Sequence, residues 1–425
     1  MKTTIYKEME MYRQVVVTGM GCVCTLGTTL DQSMKNMFAN LRAPEPPRQF
    51  STDHPIQYPV FSLPNSLGSD SRGSDPRESD SGESKPVNHW VSKKNQYLTL
   101  TARMGIAAAA QALEDAGIHP KDLRHKRVGV CMGNTVGCTL NNDPFYIQYK
   151  QGNDPGMDPI KRFLASNPAD SIAREFYLDG PTQTIVNACA SGTDAIGVGA
   201  SWLAADLCDM VIAGGTDELC KGTYNGFISL MITDDTPCKP FDANRKGLNL
   251  GEGAGVVILE PLHKRSPLKN RNNCRVAGYG SACDAYHLTA PKPDGQGLKT
   301  AINQALFNSG FTPEDIGFIN AHGTGTQEND KVEMQVFEQI LPETPFFSTK
   351  GYTGHTLGAA GAIEAIFTLY SLTHQIIPKS MGFSTRDPKA AISPVENNQA
   401  VSCTAAMSQS VAFGGNNAAL VFSLP

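Results

Sequence analysis

The sequence predicts an α/β fold built on parallel strands, and three observations carry that reading. Short apolar runs rich in Val and Ile alternate with longer Ala- and Leu-rich stretches along most of the chain. That is the pattern of strands covered on both faces and joined through helices. Gly-rich turns follow the strands. The two halves also rhyme: each offers strand, helix, strand, and then a reactive side chain at the head of a buried helix of small residues. Letter-by-letter likeness between the halves is weak, so the repeat is one of architecture.

Val15, Val16 and Val17 place a first strand at residues 14–19, before a turn rich in Gly and Cys. Residues 67–85 break the composition; from Gly68 to Ser84 there is no apolar side chain. Such a stretch buries nothing, so a mobile, acidic, Ser-rich surface insert is expected. An Ala- and Leu-rich helix is predicted over 96–116, stopped by Gly117. Strands are expected at 127–132, 209–213 and 255–259. Between the first two, the strand-like run Thr184, Ile185, Val186 leads into Asn187-Ala188-Cys189-Ala190-Ser191-Gly192, where a helix of small residues begins. Residues 260–273 are polar and contain Pro261 and Pro267. They divide the chain into an N-terminal half, 1–262, and a C-terminal half, 263–425. The second half predicts strands at 274–279, 316–320, 345–348, 399–405 and 418–422. Helices are expected at 298–309, 331–340 and 359–369.

Composition narrows the function. At 425 residues with 40% hydrophobic and 18% charged side chains, the chain can bury a large core. The net charge of −5 and the absence of a dense Lys/Arg run argue against nucleic acid. The eleven Cys are scattered, without paired metal-ligand spacing, and suit a reducing cytoplasm. The N-terminus lacks the apolar stretch of a signal peptide. No apolar run approaches the roughly 20 residues of a membrane span.

The chemistry concentrates at three residues. Cys189 is expected at a helix N-terminus, where unpaired N–H groups and the dipole favour a thiolate. His322 lies in Asn320-Ala321-His322-Gly323-Thr324-Gly325-Thr326, and His355 in Lys350-Gly351-Tyr352-Thr353-Gly354-His355-Thr356-Leu357-Gly358. Each follows a strand-like segment within Gly/Thr turns, and His355 is expected to open a helix. Glycines so placed let a ligand approach the backbone closely. Asp330 and Glu333 are expected to cap and brace the start of their own helix.

These motifs resemble the β-ketoacyl carrier-protein synthases, most closely the elongating ketosynthases of type II fatty-acid and polyketide pathways. Further matches are Asp242-Ala243-Asn244-Arg245, Gly251-Glu252-Gly253-Ala254-Gly255, Cys283-Asp284-Ala285-Tyr286-His287-Leu288-Thr289 and Phe413-Gly414-Gly415. They span about residues 14–423. The resemblance implies a thiolase-like fold: two pseudo-repeated βαβαβαββ halves in a five-layer αβαβα arrangement, forming a dimer.

It also implies decarboxylative Claisen condensation of an acyl thioester on Cys189 with malonyl carrier protein. Cys is the side chain best suited to exchange with a thioester. The backbone N–H groups of Cys189 and Phe413, in the turn with Gly414, would form the oxyanion hole, each donor worth roughly 3 kcal/mol. Neutral His322 and His355 would each donate an Nε2–H to the enolate. Lys350 would set the electrostatics around His322, compatibly with an ion pair to Glu364. Thr324, Thr326, His287 and Thr289 would line the path of the phosphopantetheine arm, and Leu248 would contact substrate and shape the acyl pocket. Asn320, Glu364 and Ser408 match a structural cluster, polar or holding a monovalent cation. No catalytic metal or organic cofactor is expected. The partners implied are an acyl carrier protein and a second subunit, identical or like a chain-length factor.

Departures temper the match. Relatives often carry Phe where this chain has Leu248, and Thr-Asn where it has Asn416-Asn417. At the expected carrier-protein dock, Lys93 and Lys94 are followed by Gln96-Tyr97 in place of basic residues. These features and the insert tilt the expectation toward a specialised polyene or polyketide pathway. The alternative is a non-condensing subunit like the chain-length factors, which generally lack the nucleophilic Cys. A degradative thiolase using coenzyme A would carry a Cys/His/Cys set, which the second His motif argues against.

Overall fold

A computed structural model describes residues 14–64, 86–137, 142–264 and 274–425. The insert expected at 67–85 and most of the polar segment 260–273 lie outside the described residues.

The first half contributes strands β1 (Val15–Cys24), β2 (Val128–Gly133), β3 (Thr182–Ile185), β4 (Met210–Asp217) and β5 (Gly253–Pro261). The second contributes β6 (Arg275–Cys283), β7 (Ile316–Asn320), β8 (Phe346–Phe347), β9 (Ala405–Ala412) and β10 (Asn416–Ser423). Their order across the sheet is β3-β2-β4-β5-β1-β6-β10-β9-β7-β8. Numbered within its half, each set reads 3-2-4-5-1 outward-in, so the repeat seen faintly in sequence is complete in topology. β1 and β6 meet through the single register pair Val16 and Arg275.

Helices used below are α1 (Leu30–Phe38), α2 (Leu100–Ala116), α3 (Pro168–Phe176), α4 (Ser191–Ala204), α5 (Gln296–Ser309), α6 (Gln327–Ile340) and α7 (Ala360–His374). Strand periodicity sorts them into layers. Met210 and Ile212 of β4 join Ala108 and Ala112 of α2 in one core; Val211 and Ala213 join Ala195 and Ile196 of α4 and Ile363 and Ile366 of α7 in another. In β10, Leu420 and Phe422 face that same central core, while Ala419 and Val421 face α5 and α6. The result is five layers, with α4 and α7 sandwiched between the two half-sheets.

Several expected boundaries move. β1 runs to Cys24, and residues 399–405 hold only the short strand Gln399–Ala400 before β9 begins at Ala405. Gly117 closes α2 with φ 67°, as its type predicts. Neither reactive residue is the first of a helix: α4 begins two residues after Cys189, and His355 lies ahead of a 3-10 turn and α7. The short helices α1 and α3, and those at Asp143–Lys150, Asp158–Ala165 and Lys221–Ser229, were not expected. Each is only eight or nine residues long, shorter than the window over which a helical period separates from a turn.

Candidate active site

α4 and α7 meet head to head because glycines let them. A Cβ on Gly192 would stand 2.8 Å from the Ala362 amide nitrogen and 2.9 Å from the Gly358 oxygen. One on Gly361 would overlap Thr193 Oγ1 at 2.0 Å. This close crossing sets Cys189, just before α4, beside His355, just before α7. Cys189 Sγ lies 3.0 Å from His355 Nε2. The His322 and His355 rings stand edge to face with centroids 5.2 Å apart. All three residues are buried.

The turn that presents the thiol is strained. Ala188 adopts φ 47°, a left-handed conformation unusual for a residue with a Cβ. Ser191 Oγ holds it, accepting from the Asn187 amide at 2.7 Å and donating to the Ala188 carbonyl at 2.6 Å. The Asn187 side chain donates to Asp194, and Tyr279 donates to the other oxygen of Asp194 at 2.8 Å. Nothing in the sequence reading pointed to this trio, because its members are far apart in the chain or read as ordinary helix residues.

His322 stands on a loop held from below by two buried carboxylates. Glu333 accepts from the amides of His322 and Gly323 at 2.8 and 2.7 Å. Asp330 accepts from the amides of Thr324, Gly325 and Phe241. Asn329 Nδ2 also donates to both within α6, so the two brace the start of their helix as expected and, beyond that, carry the histidine loop. Burial and the neighbouring Asp330 push Glu333 up to about 8.

Lys350 joins both expected roles. Its Nζ lies 3.0 Å from His322 Nδ1, donates to the His322 carbonyl at 2.6 Å, and forms a close ion pair with Glu364. An ammonium only donates, so His322 Nδ1 accepts and its ring hydrogen sits on Nε2. Burial and the adjacent cation hold His322 well below its ordinary value, and the same forces hold His355 down. His322 thus offers the expected Nε2–H. His355 Nε2 is instead engaged with the Cys189 sulfur.

Burial opposes the thiolate that the position ahead of α4 favours. Desolvation pushes Cys189 up to about 12, against Lys350 and the Phe413 backbone N–H, which both pull it down. His355 Nε2, 3.0 Å from the sulfur, is the group placed to exchange its proton. The Phe413 amide already points at the sulfur.

A cavity of about 240 Å³ gathers Cys189, His322, His355, Thr324, Thr326, Leu248, Thr289 and Phe413. Thr324 and Thr326 hydrogen-bond each other at 2.9 Å. His287 does not line it: exposed, it caps the Thr289 and Ala290 amides through Nδ1, and so supports the turn carrying Thr289. A second, mainly apolar cavity of about 480 Å³ opens on the other side of Cys189, between Val136, Gly226, Phe227 and Leu357. Phe413 and Phe227 stack at 5.5 Å and line both spaces. Gly414, with φ 81°, donates its N–H to the Leu288 carbonyl at 2.7 Å and shapes that turn. Phe227 was missed because Lys221–Ser229, with two glycines, reads as a loop.

Asn320 donates to the Glu364 carbonyl at 3.0 Å and pairs in register with Ser408. Asn320 Oδ1, Glu364 Oε2 and Ser408 Oγ are buried and have no hydrogen-bond partner among the described residues. These are the three residues of the structural cluster, polar or holding a monovalent cation, that the resemblance implied.

The comparisons with known proteins agree with this geometry. The family model described as β-ketoacyl synthase, N-terminal domain, matches residues 12–265, and that of the C-terminal domain matches residues 273–384. The chain is 30% identical to a 3-oxoacyl-[acyl-carrier-protein] synthase 2 of Staphylococcus aureus, covering 97% of this chain and 99% of that one. It is 31% identical to the protein of the same name from Vibrio cholerae, over 96% and 99% of the two. Among solved structures, the ishigamide ketosynthase/chain length factor superposes with TM-score 0.87 at 28% identity, covering 97% of this chain and 99% of that one. The ketosynthase ApeO in complex with its chain length factor ApeC, from Xenorhabdus doucetiae, gives 0.81 at 28% identity over 97% and 98%.

Proposed function

We propose, from the premise that this chain belongs to the β-ketoacyl synthase family, that it is a condensing ketosynthase of a specialised polyene or polyketide pathway. The observation that carries the reading is the convergence of the Cys189 thiol, the His355 Nε2 and the His322 Nε2–H on one cavity. An acyl group arriving as a thioester on an acyl carrier protein's pantetheine is attacked by the Cys189 sulfur. His355 takes the thiol proton and returns it to the departing pantetheine thiol. The Cys189 and Phe413 amides hold the tetrahedral oxyanion. The acyl chain occupies the apolar cavity behind Phe413 and Phe227. Malonyl carrier protein then enters past Thr324, Thr326 and Thr289. Its thioester oxygen accepts from His322 Nε2 as carbon dioxide leaves, and the carbanion attacks the acyl carbonyl, breaking its bond to Cys189; the expelled thiolate takes up a proton from solvent. The product is a β-ketoacyl carrier protein two carbons longer.

The intact Cys/His/His/Lys set favours a condensing subunit over a chain-length-factor-like one. The likeness to two ketosynthase/chain-length-factor complexes supports a specialised pathway and a heterodimer. Among the described residues, no helix is long and apolar enough to cross a membrane, and we place the reaction in the cytoplasm. Intact-mass analysis tests the reading. Acyl carrier protein should acylate the chain at Cys189, and malonyl carrier protein should discharge it as β-ketoacyl product. Acylation that survives Cys189→Ala would remove the nucleophile assignment. An acyl-enzyme that never condenses, alone or with its neighbouring subunit, would overturn the condensing role.

A further inference from the structure

Two imidazoles face one thiol in the cleft, and they differ in what holds them. One donor atom each from Cys189, His322 and His355 lies within 4.8 Å of the others, all buried. A thiolate with two imidazoles suits a borderline-soft divalent cation such as Zn²⁺, which forms bonds of about 2.3 Å to sulfur and 2.0 Å to nitrogen. An imidazole nitrogen ligates only through a free lone pair. Lys350 Nζ sits on His322 Nδ1 at 3.0 Å. That contact consumes the lone pair there and leaves the N–H on Nε2, facing the cleft. His355 has no such lock: its Nδ1 has no partner among the described residues. Its proton is free to sit on Nδ1, which bares Nε2 toward the sulfur 3.0 Å away.

We propose that Lys350 guards this site against metal capture. Zn²⁺ entering the cleft binds through only two protein atoms, Cys189 Sγ and His355 Nε2. The thiol proton is released to solvent as the metal–sulfur bond forms, and nothing is oxidised or reduced. For His322 to join, its hydrogen would have to move to Nδ1, against the ammonium of Lys350. The same contact that aims an N–H at the substrate oxygen therefore denies the metal its third ligand.

The test uses Co²⁺ as a visible probe of thiolate ligation, displaced by Zn²⁺ to give affinity; it does not depend on condensation, so it fails separately from the functional reading. Wild-type protein should show a thiolate-to-cobalt absorption band of weak affinity, absent in Cys189→Ala. His322→Ala should leave that affinity within about two-fold, the scatter expected of a non-interacting site. The double variant Lys350→Met, Glu364→Gln, which strands no buried carboxylate, should bind about ten-fold or more tightly, the scale on which outer-shell partners act. Adding His322→Ala should erase that gain. A ten-fold loss in His322→Ala alone would show that His322 already ligates, and would overturn the proposal even if the double variant does not fold. So would a folded double variant that binds no tighter, or a wild-type protein that gives no cobalt band.

Discussion

Gly197→Ala is the sharpest way to ask whether the Asn187–Asp194–Tyr279 trio positions the nucleophile. Gly197 lies in α4, about two turns beyond Cys189. A Cβ there would fall 2.3 to 2.5 Å from three carbons of the Tyr279 ring. Carbon atoms rest at about 3.5–4.0 Å, so the ring must retreat by about 1 Å or more. Tyr279 reaches Asp194 at 2.8 Å, and such a retreat takes it past the distance at which a hydrogen bond survives. Losing a hydrogen bond to a charged group costs about 1.5–3 kcal/mol, and crowding adds about 1–3 kcal/mol. If about 1.4 kcal/mol of this reaches the Ala188 turn as a displaced thiol, acylation slows ten-fold. Single-turnover acylation from acyl carrier protein, followed by intact mass, reads the effect. Tyr279→Ala removes the clash, so adding Gly197→Ala to it should cost nothing further. Wild-type acylation by Gly197→Ala, or an equal cost in both backgrounds, would refute the mechanism.

Other measurements probe the remaining parts of the site. Because burial pushes the Cys189 thiol up to about 12, its alkylation by iodoacetamide should keep accelerating, about ten-fold per pH unit, from pH 7 to 9; a plateau below pH 8 would mean a thiolate at rest. His322→Ala should still form the acyl-enzyme, since the thiol and His355 remain, but lose condensation by about 10²-fold or more, the scale of one oxyanion donor; normal turnover would remove it from the mechanism. Glu333 has its folded value raised from 4.5 to about 8 by burial and Asp330. A raised carboxyl favours the folded protein below its unfolded value and loses that contribution as pH rises toward 8. Glu333→Gln should therefore flatten the fall in melting temperature between pH 5 and 8, and an unchanged slope would contradict the shift. Phe413→Ala should merge the two cavities it now lines and broaden the set of acyl groups trapped on Cys189 in a competition read by mass spectrometry.

What the sequence made legible follows from how local each signal is. Val15–Val17 and Ile316–Asn320 read as strands because β-branched runs bounded by turns carry their own signature. Cys189, His322 and His355 were found because glycines and small residues surround each of them. The Tyr279–Asp194 contact spans 85 positions, and no local pattern announces it. Glu333 looked like a helix-bracing residue because i, i+3 spacing is a local rule. The rule holds through Asn329 but misses a second demand, the unpaired amides of the histidine loop, which must find acceptors when buried. The environment of the Cys189 thiol is a related case. Proximity to a helix start is visible in sequence, but the desolvation that opposes it exists only once the cleft closes around the sulfur.

The repeated topology explains why one site, and not two, forms. Both halves run strand, turn and buried helix toward the same interior seam, and α4 and α7 present their N-terminal ends to each other there. Equivalent turns would by symmetry carry equivalent chemistry. Here the first half places a nucleophile before its helix, and the second places an imidazole before its own. The second half also carries the Lys350–Glu364 pair, which fixes the His322 ring. A nucleophile needs a proton acceptor at hydrogen-bond distance and a separate donor for the oxygen. Two unlike residues at mirrored positions supply the first, 3.0 Å apart, and the Lys350-held tautomer supplies the second. Division of labour across the seam is therefore built on the glycine contacts at Gly192 and Gly361. A side chain at either would part the helices before any reactive group was touched.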